Sequence, residues 1–478
     1  MEQVLPSTIN YLDTLPRAVP SERRRKKFYP TNGPVFTENT TIRINIEDTR
    51  AFMDPSNTFL QFSLNTTPAN QTGTTDIAGG YSFVKNFRIH QAGNEIMRID
   101  NLNRLMNGIV VPSIGQDTER GDTSITENGN YANTTGGGAA NNAPIPGAAS
   151  TGADLTTGRF GDNLDIAVAN NAATFNIPLV GGLFSQVGDN KLIPLPLLSQ
   201  PIELFFDVAP SEEMLIWAGV PVAPPQLFNV SVISELVEVP RDVIGYLKDL
   251  QFNHGGSLAI QAQSYESNTL SIPALTTGDF VMNVPSRKRS IKSLYWVGAS
   301  TDYAGIMVAF TKSEAACLSF GGNMNIQSYF LRAGPLIMPQ PAVRGMGDNA
   351  GAGNNEYRKG EMFMELKKSL GHLKFHHGSG GFASANYGNL EGDNADGAGL
   401  RLSPGERDGY EVCPYGLDLE AYQHEAIKSG LDTQTLSLEM QLNITIEGNN
   451  TEAQQVDIFT LHDIQYYFNS DGTITFED

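Results

Sequence analysis

The chain has 478 residues, of which 40% are hydrophobic and 18% are charged, and its formal net charge is −20. The apolar content is enough for ordinary buried cores, which excludes wholesale disorder, and the negative charge argues against a protein whose whole surface coats nucleic acid. Two cysteines, Cys317 and Cys413, provide no disulfide framework and suit a reducing compartment. The first residues lack a charged segment followed by an apolar run, so we expect no signal peptide, and no apolar run approaches the roughly 18 residues of a membrane span.

Residues 1–33 are predicted to form a basic arm that precedes the first folded domain. The arm contains five consecutive cations: Arg23, Arg24, Arg25, Lys26 and Lys27. Prolines on both sides of this run disfavour a long helix. Three interpretations stay open: a solvated basic terminus, a nuclear-import signal, or an arm that contacts a neighbouring subunit, nucleic acid or a membrane surface.

Residues 34–240 are predicted to form a first all-β domain. Alternation of apolar and polar residues predicts its strands, which are Thr40–Ile46, Thr58–Leu64, Tyr81–His90, Phe175–Leu179, Ile202–Val208 and Leu227–Val239. Asp54–Asn57 has the composition of a turn, and Ile99–Ile109 has helical spacing. The low-complexity composition of residues 112–172 cannot build a core, so we expect a long surface loop there.

Residues 241–478 repeat this order and predict a second all-β domain. Its predicted strands are Asn268–Ile272, Asp279–Val284, Ser290–Val297, Ile306–Phe310, Leu436–Ile446 and Gln455–Phe468. A second long insertion covers about residues 335–425. Four pairs of similar segments recur in the same order: Asn39–Ile42 with Asn268–Ile272, Phe83–Ile89 with Ser290–Val297, and the last two strands of each half with each other. Such a long period indicates domain duplication, and the short alternating strands indicate two antiparallel sandwiches.

Three stretches of the chain resemble the double jelly-roll major capsid proteins of icosahedral DNA viruses. They are Tyr81–Ile89 with Asp100–Leu105, Phe175–Leu179 with Leu192–Leu198, and the ending Leu417–Glu420, Ser429–Thr433 and Val456–Asp463. The resemblance extends over nearly the whole chain from Pro34 onward. The length is similar to that of the virophage and polinton-like virus members of this group.

The resemblance implies an all-β fold of two tandem eight-stranded antiparallel jelly-roll sandwiches, with long loop insertions and few short helices. It implies a structural protein without catalysis or cofactors, three copies of which form a pseudo-hexagonal capsomer that tiles an icosahedral shell. Neighbouring capsomers and the penton and minor capsid proteins are then the expected partners. The arm is expected beneath the shell, in contact with an inner membrane or the genome. The expected location is the virion, after synthesis and assembly in the host cytoplasm or nucleus.

A tandem β-sandwich lectin or adhesin, which binds glycans through its loops, is the alternative. His372 and His376 have a zinc-like spacing, but glycines crowd them and no glutamate completes a metalloprotease motif. The tripeptide Arg120–Asp122 is too short to be specific for a receptor. Tyr295 and Trp296 lie on a predicted strand and are expected to be core aromatics. We therefore expect no catalytic, cofactor-binding or metal-binding residue.

Overall fold

The computed structural model describes most of the β-rich part of the chain. The described residues are 21–65, 73–74, 78–110, 173–187, 191–214, 216–217, 225–253, 258–274, 276–300, 326–345, 360–371, 414–421, 429–435, 437–446 and 453–478. The predicted strand Ile306–Phe310 lies outside them.

The described residues form twenty strands. In the first half these are β1 (Glu22–Phe28), β2 (Val35–Phe36), β3 (Thr41–Ile46), β4 (Ala51–Asn65), β5 (Gly73–Thr74), β6 (Val84–Gln91), β7 (Asn94–Ile99), β8 (Ala173–Pro178), β9 (Ile202–Val208), β10 (Ile216–Trp217) and β11 (Gln226–Glu238). In the second half they are β12 (Leu258–Ile272), β13 (Gly278–Val284), β14 (Ile291–Ser300), β15 (Ile326–Ala333), β16 (Leu336–Arg344), β17 (Tyr415–Asp418), β18 (Met440–Ile446), β19 (Gln454–Phe468) and β20 (Ile474–Glu477).

Helices in the described residues are few. The α-helices are α1 (Leu102–Leu105), which continues as a π-helical turn over Met106–Val110, α2 (Ser211–Met214), α3 (Arg241–Asn253) and α4 (Gly360–Ser369). Three single 3₁₀ turns are Gly79–Phe83, Gly182–Phe184 and Leu195–Leu197.

The main strands form two sandwiches with the same strand order. The first sandwich consists of the sheets β1-β11-β4-β8 and β3-β9-β6-β7, and the second consists of β12-β19-β14-β17 and β13-β18-β15-β16. Numbered one to eight along each half, the main strands lie in the order 1-8-3-6 in one sheet and 2-7-4-5 in the other, in both sandwiches. β2 and β20 add to the first and second sandwich respectively, and β5 pairs with β10. This confirms the prediction of two tandem eight-stranded antiparallel sandwiches.

The strand order also determines at which end of a sandwich each connection between strands lies. All neighbouring main strands are antiparallel, so connections after odd-numbered strands leave at one end of a sandwich and those after even-numbered strands at the other. The three longest connections, residues 100–172, 301–325 and 345–414, all follow odd-numbered strands. We call this the insertion end and the opposite one the base end. Residue 21 precedes the first strand and therefore lies at the base end.

Aromatic side chains fill both cores. Phe62, Phe83 and Phe175 pack together in the first sandwich, with ring centroids 5.1–5.5 Å apart. In the second, the ring of Trp296 lies 4.8 Å from that of Tyr329. Tyr295 and Trp296 are buried, which confirms the prediction that they are core aromatics. Each fully buried aromatic of this size contributes roughly 1.5–3 kcal/mol through removal of its surface from water.

Some local predictions differ from the structure. Asp54–Asn57 does not end a strand; it forms a bulge inside the long strand β4, because pairing with β11 jumps from Asp54 to Thr58. The carboxylate of Asp54 accepts hydrogen bonds from the backbone N–H of Ser56 and the side chain of Asn57, which holds the bulge. The predicted insertion 335–425 contains β16, α4 and β17. The assignment of residues 34–240 and 241–478 to separate domains stays a prediction.

Candidate functional site

The five cations that the sequence assigns to an arm lie in β1, the first strand of the first sandwich. β1 pairs with β11 along its whole length, from Glu22 opposite Glu238 to Phe28 opposite Val232. Phe28 at its end is buried in the core, and the cations before it are exposed or half-buried. Hydrophobic periodicity could not identify this strand, since six of its seven residues are charged. Phe28 was the only apolar signal.

Two of the cations bind polar side chains on other strands of the same sheet. Arg23 Nη2 lies 2.7 Å from Asp54 Oδ2 in β4, and Arg23 also pairs with Glu235 in β11. Lys27 Nζ donates to the side-chain oxygen of Gln61 in β4 at 3.0 Å. Surface ion pairs of this kind contribute only about 0–1 kcal/mol each. The edge strand is thereby fixed to the sheet rather than left extended in solvent.

Asp48 binds the two cations on the other face of β1, Arg24 and Lys26. Its carboxylate lies 2.7 Å from Arg24 Nη2 and 3.2 Å from Lys26 Nζ, and it accepts the backbone N–H of Arg50 and Ala51. Burial opposes its ionisation, but the hydrogen bonds from Arg50 and Lys26 and the charges of Lys26 and Arg24 hold the pKa of Asp48 below its ordinary value. Asp48 lies in the connection between β3 and β4, so it joins the two sheets of the first sandwich at the base end.

Arg25 differs from its neighbours in β1. Its guanidinium lies over the ring of Phe59, 5.5 Å from the centroid, and among the described residues it has no ion-pair partner. A cation over an aromatic ring is attracted by about 0.5–1 kcal/mol at an exposed site. The role of Arg23–Lys27 in contacts outside the chain stays a prediction, and Arg25 and Lys27 are the two members that have no ion-pair partner within the described residues.

The two sandwiches meet along a seam whose polar contacts start at the base end. Gln91, at the end of β6, is fully buried. Its Nε2 donates to the carbonyl of Gly472 at 3.1 Å, and its Oε1 accepts the N–H of Ile474 at 3.0 Å. The N–H of Ser199 also donates to the carbonyl of Gly472, at 3.0 Å. Gln91 and Ser199 of the first sandwich thus bind buried backbone groups of the second sandwich at the turn before β20.

In the middle of the seam, the first sandwich extends the edge of β12. The N–H of Val187 donates to the carbonyl of Gln261 at 3.0 Å, and the N–H of Gln263 donates to the carbonyl of Ser185 at 2.9 Å. This short added strand covers backbone groups that an edge strand leaves exposed.

A glycine permits close approach next to this strand. Gly182 has a φ of +55°, and a Cβ there would lie 2.5 Å from Tyr466 Oη and 2.7 Å from Met97 Sδ. Tyr466 is fully buried, and its hydroxyl donates across the seam to the carbonyl of Ile96 at 3.4 Å. No other residue type fits both the backbone conformation and the space.

A buried ion pair joins the sandwiches near the insertion end. Arg104 Nε lies 3.7 Å from Asp457 Oδ2, and both side chains are buried. Arg104 Nη2 also donates to the carbonyl of Gly298 at 2.8 Å, while Asp457 accepts the hydroxyl of Thr269 at 2.8 Å. The seam therefore has contacts from the base end to the insertion end, and like ends of the two sandwiches lie together.

A groove of about 270 Å³ opens on the seam and is lined by charged residues of both sandwiches. Lys288 pairs with Asp478 there and lies 3.9 Å from Glu266. Burial lowers the pKa of His462 to about 4; the charge of Lys288 acts in the same direction, while a hydrogen bond with the carbonyl of Thr460 and the charge of Asp478 oppose it. The imidazole is thus uncharged at neutral pH. The pair of Lys288 with Asp478, the residue directly after β20, joins the end of β20 to the connection before β14.

The remaining predicted features yield no further site. His372, His376 and Arg120–Asp122 lie outside the described residues. Within the described part of the chain, no group of three or more His, Cys, Asp or Glu side chains could hold a metal ion. A search of the same residues finds no helix with the length and apolar character needed to cross a membrane.

Comparison with known proteins finds similarity in structure only. No protein-family model matches the sequence, and no curated protein matches it. The structure is similar to that of PBCV-1 VP54, as fitted into a reconstruction of the virophage Sputnik, with a TM-score of 0.57, 10% identity and 98% of each chain covered. It is similar to the Faustovirus major capsid protein, with a TM-score of 0.56, 9% identity and coverage of 95% of this chain and 91% of that one. It is also similar to a chain of the Sputnik virophage, with a TM-score of 0.51, 12% identity and coverage of 99% of this chain and 92% of that one.

The protein has the double jelly-roll fold. Each comparison covers nearly the full length of both chains, so the similarity includes both sandwiches and the way in which they lie side by side. This confirms the resemblance in fold that the sequence predicted. Because identity is about a tenth, the double jelly roll was recognisable from the order of its strands and not from shared residues.

Proposed function

We propose that the protein is the major capsid protein of an icosahedral virus and that its role is structural, without catalysis. The main support is the pairing of two sandwiches of identical strand order, side by side and with like ends together. The double jelly-roll chains to which it is similar include the Faustovirus major capsid protein. The comparisons give the glycan-binding alternative no support.

Three copies of such a chain supply six sandwiches of the same architecture, which suits a ring of nearly hexagonal outline. A closed ring requires heterologous contacts whose rotation closes after three copies. Hexagonal outlines tile a shell, so neighbouring capsomers are the main partners, with penton and minor capsid proteins at special positions. The virion is the location, after assembly in the host cytoplasm or nucleus.

The two ends of the sandwiches then have different environments. The long connections leave at the insertion end, which suits the outer surface of a shell, where they would meet a host receptor. Residue 21 lies at the base end, so the chain enters the first sandwich from the inner side of the shell, where an inner membrane, the genome or a neighbouring capsomer would be. In this proposal the predicted arm has its contacts on the inner side of the shell.

The first test is the mass of the purified protein in solution, measured by light scattering after gel filtration. One chain has a mass of 51.8 kDa, so the proposal predicts a species of about 155 kDa, three times that value, which persists on dilution. A monomer at every salt concentration would contradict the proposal, and binding to a glycan array would then support the lectin alternative.

A further inference from the structure

The seam within one chain is a heterologous contact between non-equivalent edges of two similar sandwiches. The first sandwich contributes its fifth strand, β7, whose Ile96 and Met97 are buried against the second sandwich. The second contributes its first strand, β12, together with β19. A heterologous contact leaves one edge of each kind unused. The unused edges are β16, the fifth strand of the second sandwich, and β1, the first strand of the first.

The exposed side chains of β16 indicate that this edge is covered in the assembled protein. Leu336 and Ile337 are 45% and 41% exposed. They lie opposite Ala333 and Arg332, as Asn94 and Glu95 lie opposite Gln91 and His90 in the first sandwich. At these matching positions, one of which (Glu95) lines the groove on the internal seam, the first sandwich has polar residues, whereas the second has two large apolar residues. Successive side chains of a strand point to opposite faces, so a partner that covers both Leu336 and Ile337 has to lie at the edge of the strand.

The edge at β1 has exposed residues of types that are common in protein interfaces. Tyr29, directly after β1, is 65% exposed, and Arg25 lies over Phe59 without a carboxylate partner in the described residues. Tyrosine and arginine are enriched in the contact area of protein interfaces.

The charges on the two edges favour a second copy of the chain as the partner. Each copy carries a net charge of −20, so most surfaces of two copies repel each other. β16 has no carboxylate, and β1 has five cations and only Glu22 as an acid. These two edges therefore meet without the repulsion between acidic residues that other faces would produce.

We propose that β16 of one copy packs against β1 of a second copy, repeating between chains the seam that joins the two sandwiches within a chain. This inference rests on the proposed capsomer and names the strands that close it. Leu336 and Ile337 lie at the contact, and Arg25 and Tyr29 lie opposite them. Three such contacts, alternating with three internal seams, complete the ring of six sandwiches.

The first experiment compares Ile337→Glu with Val281→Glu by light scattering. Val281 is a matched control because it is 49% exposed and lies in β13, at the opposite edge of the same sheet. The proposal predicts that Ile337→Glu gives a folded monomer of 51.8 kDa and that Val281→Glu keeps the trimer mass of the natural chain. Circular dichroism identifies any variant that is unfolded. Trimers from both variants, or loss of the trimer in both, would overturn the assignment of strands, whereas a monomeric natural chain would overturn the capsomer itself.

Cross-linking tests the same contact without weakening it. In a chain with Cys317→Ser and Cys413→Ser, the double variant Arg25→Cys/Ile337→Cys is treated with a short bismaleimide. Because the contact is heterologous, the double variant should give covalent trimers, while a mixture of the two single variants should give no species beyond a covalent dimer. Absence of covalent trimers from a double variant that light scattering shows to be trimeric would overturn the proposal.

Discussion

Replacing Arg104 by methionine tests how strongly the seam holds the two sandwiches together. The substitution keeps an unbranched apolar stem but leaves the buried carboxylate of Asp457 without its cation and the carbonyl of Gly298 without its donor. Removal of one partner from a buried ion pair costs about 3–5 kcal/mol, because a desolvated charge remains uncompensated. The hydroxyl of Thr269 still donates to Asp457, which places the expected loss toward the lower end of that range. The assay is equilibrium unfolding in urea, followed by tyrosine and tryptophan fluorescence.

The double variant Arg104→Met/Asp457→Asn is the decisive control. It removes both charges, so no buried charge is left unpaired. Replacing a whole buried ion pair by neutral groups often costs little, so the double variant should regain about half or more of the stability that Arg104→Met loses. A double variant that is less stable than the natural chain by the sum of the two single-variant losses would refute the reasoning. It would mean that the two side chains act separately and that their ion pair does not join the sandwiches.

The remaining predictions concern single positions. Gly182→Ala should lower the free energy of unfolding by about 2–5 kcal/mol, because the new Cβ meets Tyr466 Oη and the backbone is left-handed. The control Gly245→Ala, on the open surface of α3, should raise it by about 0.5–1 kcal/mol. Urea unfolding of both variants measures these changes. The folded-state pKa of His462 is lowered, so the unfolded chain binds more protons as the pH falls from about 6.5 toward 4, and stability present at neutral pH is lost over that window. His462→Gln should show a smaller loss of unfolding free energy between pH 7 and pH 5 than the natural chain, and an equal loss would contradict the assignment. The pKa of Asp48 is also lowered, so its stabilisation exists above the ordinary carboxyl pKa and disappears in acid. Asp48→Asn should therefore be less stable than the natural chain at pH 7 and differ less from it in acid, and an unchanged difference, measured by urea unfolding at both pH values, would argue against a charge effect.

Strands with a buried apolar face could be predicted closely from the sequence. Ile202–Val208 has the same bounds in the prediction and in the structure, and β19 starts one residue earlier than predicted. In both, every second side chain is apolar and buried along much of the strand, so the two-residue period is visible in the sequence. The aromatic pair Tyr295 and Trp296 was predicted for the same reason.

β1 could not be predicted, because its alternating side chains are almost all cationic and their partners lie on distant strands. Two of the four paired segments were also matched to the wrong strand: Phe83–Ile89 belongs mainly to the fourth strand of its sandwich, whereas Ser290–Val297 belongs to the third. Asn39–Ile42 likewise leads into a second strand, and Asn268–Ile272 ends a first strand. Duplication was correctly inferred from the order of strands, but β-rich segments of similar composition do not identify which strands correspond.

The seam lay beyond prediction for a different reason. Gln91, Arg104 and Gly182 have no local pattern that marks them, since each meets a partner more than 190 residues away in the sequence. A buried arginine or glutamine looks like an ordinary surface residue until the partner is known. The pair Gly181 and Gly182 is typical of a break in regular structure, but a glycine pair does not indicate that another sandwich approaches there.

Electron microscopy of the purified protein tests the central claim most directly. The account predicts single particles with three-fold symmetry and six lobes of similar size, which is the projection expected for six side-by-side sandwiches viewed along the strands. Averaged images with two lobes, or with two-fold symmetry, would contradict a capsomer built from three double jelly rolls.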